Sequence, residues 1–387
     1  MTSTPASPAL GTGRRLGYLL VGYLAVVVGV ITLAPFRFAV PHPPRVHLLV
    51  LDGGWIADIL LNVALFVPIG LALHRTMRSG LVTVVLVAGG ASLLIESLQL
   101  FLLPRYSTVT DVAANALGAL LGAMISTFVD RRFGAGRRLV GRLMLDLPLM
   151  GVTYLLLPLL WLDGLGAAGS PARAWLSLPV VAAGALTLAA VARTVPSAAT
   201  TAMGRNVVLA AVTWFAIGAV PALRTNPFMV GVGLVVVVGA AGLGQWAWRK
   251  AVLRDRRLEP QVVRVIVPLV LLYLILLALY PGSLSVAGGG DARVGILRWL
   301  EHVAALASLG YLLAEWRGRQ AEHGLVAVAK PALLSGLAWV AIVSVTNRSA
   351  ILAGGIVALV AGGFGATLYR RQRDHIIALG ESVDQTG

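Results

Sequence analysis

The sequence predicts an all-α membrane protein: a polytopic transmembrane helical bundle of about twelve spans with both termini in the cytoplasm. Three observations carry this. The chain is 58% hydrophobic and only 12% charged, against about 25% charge in an average soluble domain. Its apolar residues come in runs of roughly 20, the length that crosses a hydrocarbon core of about 30 Å. Its Lys and Arg residues gather in every second loop between those runs, as they do where loops stay in the cytoplasm.

Taken in order, a short polar tail ends at Arg14 and Arg15, and the run at 16–34 lacks a small-residue cleavage motif, so it reads as an uncleaved first span. Further spans lie near 56–73, 81–103, 109–129, 143–162 and 174–192, then near 206–223, 228–248, 262–280, 295–314, 325–345 and 349–369. With Arg14 and Arg15 inside, these two, the alternate loops and the tail from Arg370 together hold 23 of the 31 Lys and Arg residues. Merging or splitting one span would invert every later loop, so this bias supports the count. The first outer loop, LAPFRFAVPHPPRVHLLVLDGGW, is the longest, and its stretch Val46 to Leu51 reads as interfacial, too short to span.

The net charge of +15 orients helices here, and no basic face with interleaved aromatics exists to hold nucleic acid. The absence of cysteine excludes disulfides, thiolate metal sites and Cys nucleophiles. The six histidines show no metal-binding spacing, and the AGGG patch at Ala287 to Gly290 lacks the context of a phosphate loop. Neither a cofactor nor a metal is expected. The lipid bilayer is the first partner, and basic runs such as RDRRLEP suit anionic head groups at about 1 kcal/mol per charge.

Ionisable residues within spans cost about 2.5 to 3.5 kcal/mol each on insertion scales, so they are few and face the bundle interior. Here they cluster. The second span carries Asp58 and Asn62, the third Glu96 and Gln99, and the fourth Asp111 and Asn115, each pair on one helical face. At 1.5 Å per residue, Asn62, Glu96 and Asn115 each lie about 9 to 10 Å below the outer surface. Arg105, between the third and fourth spans, and Arg37, just after the first, are the nearest cations. Two readings stand. One is a polar pocket for a head group or for proton transfer, and the other is an interhelical clamp of hydrogen bonds worth about 0.6 kcal/mol apiece. Gly118 and Gly122, at four-residue spacing, read as helix packing.

At these residues the chain resembles the VanZ-like family of bacterial membrane proteins. The matching stretches are LAPFRF at Leu33 to Phe38, DILLNVALFVPIGLAL at Asp58 to Leu73, and SLLIESLQLFLLPRYSTVTDVAANALGALLG at Ser92 to Gly122. The family's ordered pattern falls on Asn62, Phe66, Pro68, Gly70, Glu96, Gln99, Arg105, Asp111, Asn115 and Gly118, within about the first 135 residues. The resemblance implies a place in the bacterial cell envelope, as a multi-pass protein of the cytoplasmic (inner) membrane. Because the family's namesake is associated with low-level teicoplanin resistance, it also implies a link to antibiotic resistance. It implies positions and no catalytic roles.

Spans nine to twelve follow the first four in layout, at an offset close to 240 residues. ALYPGSLSV stands for LAPFRFAV, ILRWLEHVAALASLGYLLAEWR for the second span, and TNRSAILAGGIVALVAGGFGATLYRR for the stretch from Pro104 to Arg132. A degenerate second copy over about 262–371 is therefore a candidate. In it Ala338 or a neighbour stands in place of Glu96, and Arg298, Glu301, His302 and Arg348 keep charge at the outer level, with Glu301 and His302 either extending the pocket or, the favoured expectation, pairing with Arg298.

The chain thus divides into a VanZ-like four-helix membrane module at 1–140, a middle four-span region of unassigned role at 141–258, and a last four-span region with its tail at 259–387. Three functions are compatible with these residues. The first is an envelope protein that binds an amphiphilic or lipid-linked molecule at an outer-leaflet polar pocket of Arg37, Asp58, Asn62, Glu96, Gln99, Arg105, Asp111 and Asn115, contributing to glycopeptide tolerance. The second is a proton-coupled secondary transporter. The third is a membrane-embedded enzyme with Glu96 or Asp111 as general base, for which no nucleophile, metal motif or His partner is evident.

Overall fold

The computed structural model describes residues 8–40, 46–47, 55–77, 79–102, 107–133, 149–166, 171–194, 200–254, 258–280, 292–317, 324–346 and 351–384. Among these the protein is an all-α polytopic bundle of twelve α-helices with one 3-10 helix and two very short strands. Ten of the helices are long and apolar enough to cross a membrane.

The chain divides into two compact units, one formed by 1–146 with 375–387 and the other by 147–374. In the first unit, α1 (Pro8–Leu33) packs on α2 (Trp55–Met77) and α3 (Leu81–Gln99), and α4 (Val109–Phe133) packs on α2 and α3. The α2–α4 contact is the most intimate, because glycines remove the side chains between the two backbones. A Cβ on Gly70 would lie 2.1 Å from the Ala119 carbonyl oxygen, one on Gly118 2.3 Å from that of Val63, and one on Gly122 2.0 Å from that of Val67. At the C-terminal end of α2, the Arg75 guanidinium donates to the Ser126 carbonyl (2.8 Å), and His74 Nδ1 lies 3.0 Å from Ser126 Oγ.

Short backbone pairings tie down the opposite end. The strand β1 (Val46–His47) runs parallel to β2 (Ser107–Thr108), Phe38 bridges Leu102, and the Ala39 N–H donates to the Phe101 carbonyl (2.7 Å). A third of the segment expected to lie at the interface, Val46 and His47, is thus held as a strand, and 48–51 lie outside the described residues. The outward face of α3, with Val82, Leu86, Leu93 and Leu94 exposed, fits lipid contact.

The second unit contains α5 (Met150–Gly166), the 3-10 helix Pro171–Leu176, α6 (Ser177–Thr194), α7 (Thr200–Thr225), α8 (Pro227–Arg254), α9 (Leu258–Leu279), α10 (Ala292–Arg317), α11 (Val326–Thr346) and α12 (Ile351–Asp384) up to Asp374. Helices assigned from the sequence to a middle and a last region pack together here, α5 against α10 and α6 against α9.

Two of the twelve expected spans differ from the other ten. α5 has 17 residues, a length of about 26 Å. It is buried from Gly151 to Gly164 among α6, α7 and α10, so its environment is protein rather than lipid. The Trp214 indole N–H donates to the Thr153 carbonyl of α5 (3.0 Å), and the Trp161 indole N–H of α5 donates to the Ile217 carbonyl (3.1 Å). α12 begins in the apolar run expected to span but continues as helix through the charged segment after Tyr369, which had been expected as a tail.

Candidate functional site

The polar residues of α2, α3 and α4 lie toward the N-terminal ends of α2 and α4 and the C-terminal end of α3. Thr108 sets the geometry. It caps α4, its hydroxyl accepting the Asp111 N–H (3.1 Å). Its own N–H donates to Glu96 Oε2 (3.1 Å), so the carboxylate of α3 is held over the first turn of α4. Glu96 is only 5% exposed. Its helix otherwise presents large apolar side chains, so hydrogen bonding is what makes a carboxylate tolerable there.

Asn62 donates to Asp111 Oδ1 (2.7 Å), joining α2 to α4 beside the close glycine crossing. One turn further in, Asn115 donates to Ser92 Oγ (2.8 Å), joining α4 to α3. Asn115 is buried, and its Oδ1 has no hydrogen-bond partner. Gln99 donates to the Thr32 carbonyl (3.1 Å), joining α3 to α1. Asp58, Asn62 and Asp111 are half-buried, whereas Glu96, Gln99 and Asn115 are buried. The cluster therefore grades from a wetter edge of two acids and an amide to a dry interior.

The two cations assigned to the cluster fare differently. Arg37 is exposed, and among the described residues no ion pair joins it to Asp58, Glu96 or Asp111. Arg105 lies outside the described residues, as does Arg348.

A second polar cluster lies in the other unit, where the sequence singled out Glu301 but not its partners Arg173, Asp163 and Tyr273. Glu301 of α10, 1% exposed, is bonded to the Arg173 guanidinium and to the Tyr273 hydroxyl of α9. Arg173 Nε also lies 4.0 Å from Asp163 Oδ1 of α5. The expectation that Glu301 and His302 pair with Arg298 is corrected here. Glu301 takes partners from other elements, and His302 Nδ1 meets the Arg298 carbonyl (2.7 Å) rather than its side chain. Spacing along one helix proposes only neighbours on that helix, whereas the turn after α5 delivers Arg173 from elsewhere in the chain. The signal available was Asp163 and Arg173 themselves, two charges flanking a short Gly-rich turn between apolar runs, each needing a partner in a dry surrounding.

Fold and site together define a multi-pass helical membrane protein whose first four helices enclose a graded hydrogen-bonded polar cluster. Residues 20–130 match the model of the VanZ/LLP1 family, so the N-terminal module is VanZ-like. No curated protein and no solved structure matches the chain.

Proposed function

We propose that the VanZ-like module binds the polar head of an amphiphilic or lipid-linked envelope molecule, from the outer leaflet of the bacterial cytoplasmic membrane, and thereby contributes to glycopeptide tolerance. The observation that carries this reading is the grading of the cluster. A pure clamp needs paired groups and no wet edge, whereas here the Asn62–Asp111 pair is half-buried and leads inward to Glu96 and to Asn115 with its unpartnered Oδ1. The wet edge, with Asp58 on the same face of α2, offers acceptors for hydroxyl, amide or ammonium groups of a head group. The acyl part would lie along the exposed apolar face of α3.

The test is teicoplanin sensitivity of cells producing the wild-type chain, Glu96→Gln or Asp111→Asn, with membrane abundance measured alongside. The reading expects tolerance to fall while abundance is unchanged. Unchanged tolerance at equal abundance would refute it, and loss of the protein itself would assign the cluster to holding the helices together.

A further inference from the structure

The last four helices repeat the packing of the first four. In the first unit α1 lies on α2 and α3, α2 on α3, and α4 on α2 and α3. In the second unit α9 lies on α10 and α11, and α10 on α11. There α12 crosses α10 at Gly310, Gly362 and Gly365, and meets α11 where Gly354 faces Trp339 and Leu359 faces Gly336.

The two glycine crossings agree contact by contact. A Cβ on Gly70 would lie 2.1 Å from the Ala119 carbonyl oxygen, and one on Gly310 2.1 Å from that of Gly362. A Cβ on Gly122 would meet the Val67 oxygen at 2.0 Å and the Leu71 nitrogen at 2.7 Å, whereas one on Gly365 would meet the Ala307 oxygen at 1.9 Å and the Tyr311 nitrogen at 2.8 Å. One shift of about 240 carries Val67, Gly70 and Leu71 onto Ala307, Gly310 and Tyr311, and a shift about three longer carries Ala119 and Gly122 onto Gly362 and Gly365. Any close crossing of small residues would give one such contact. Chance does not explain why the longer shift also serves α11, where it carries the buried Ser92 and Glu96 onto the buried Ser335 and Trp339.

We infer that α9–α12 are a second copy of the VanZ-like four-helix fold, in which the polar cluster has been replaced by aromatic packing. The two shifts put Arg298 and His302 where the first copy has Asp58 and Asn62, Trp339 in the place of Glu96, Gly354 in that of Asp111, and Ala358 in that of Asn115. The replacements fit one another. A Cβ on Gly354 would lie 2.4 Å from the Trp339 indole, so the large ring requires the glycine opposite. The His302 ring meets Trp339 edge-on, with centroids 5.2 Å apart. Glu301, one residue before His302, faces away from this place and takes Arg173 and Tyr273 as partners. The second copy retains the framework and has exchanged a site that could take a polar ligand for a filled interior.

The absence of cysteine from the chain gives a direct test. In the first copy, His74→Cys with Ser126→Cys and Ser92→Cys with Asn115→Cys replace side chains that already touch, at 3.0 and 2.8 Å. The same shifts give Ala314→Cys with Tyr369→Cys and Ser335→Cys with Ala358→Cys. In the full-length protein in membranes under mild oxidation, all four pairs should form disulfides, and the out-of-register pair Ala314→Cys with Leu368→Cys should stay reduced. The inference is overturned if the first-copy pairs close and the second-copy pairs do not, or if the out-of-register pair closes instead. Should Tyr369→Cys prevent assembly, the Ser335→Cys and Ala358→Cys pair, small residues replaced by a small one, decides alone.

Discussion

Glu96 and Glu301 each place a carboxylate among apolar helices, and the two regions make it tolerable in different ways. Glu301 is held by a guanidinium and a phenol from two other elements, with a second acid beside the same guanidinium. Glu96 accepts the Thr108 backbone N–H, and Asn62 and Asp111 beside it are half-buried. The first arrangement is closed, since two acids share one guanidinium and all three side chains are almost fully buried. The second keeps acceptors at an edge. Burial of an acid alone therefore does not mark a binding site; the identity of its partner and the exposure of its neighbours separate a lock from a pocket.

Several substitutions can break or sharpen that contrast. Glu301→Ala leaves Arg173 in a dry interior with Asp163, at 4.0 Å, as its remaining ion-pair partner among the described residues. Breaking a buried pair costs about 3 to 5 kcal/mol, so the yield of folded, monodisperse protein in detergent should collapse. Gly122→Leu forces a side chain into the α2 backbone and should cost about 3 kcal/mol. Its melting temperature should drop sharply, while Gly22→Leu, with nothing within 4 Å of its Cβ, should stay within about 0.5 kcal/mol of wild type. Ser92→Ala removes the acceptor of one interhelical bond from Asn115 and should cost about 0.6 kcal/mol, visible only as a small shift in the same melt. A melt in which Ser92→Ala equals Glu301→Ala would erase the distinction between the two clusters.

The helices were legible because hydropathy and length decide whether a segment can sit in a bilayer. The exception shows the limit: α5 is apolar enough to read as a span, yet its 17 residues are surrounded by other helices. Helix ends were less legible. α3 stops at Gln99, short of the 103 expected, because the chain turns to form the bridge at Leu102. In the site, the face shared by Asp58 and Asn62, and the one shared by Asp111 and Asn115, follow from helical period alone. That Thr108 would cap α4 and bond Glu96 depends on how the α3–α4 turn folds. The assignment of Arg37 as a counter-ion rested on nearness in sequence, and the structure leaves that side chain exposed. Arg173 was hidden for the opposite reason: its partners are far away along the chain, and no periodicity connects them.

The contrast between lock and pocket can be measured with one matched pair of substitutions. Glu96→Gln keeps an oxygen for the Thr108 N–H and exchanges a carboxylate for a neutral amide, whereas Glu301→Gln makes the same exchange at the group that Arg173 and Tyr273 both bond. Thermal unfolding of both full-length variants in the same detergent should leave Glu96→Gln near wild type and lower Glu301→Gln by many degrees. Equal losses for the two would contradict the account, because Glu96 would then be as structural as Glu301.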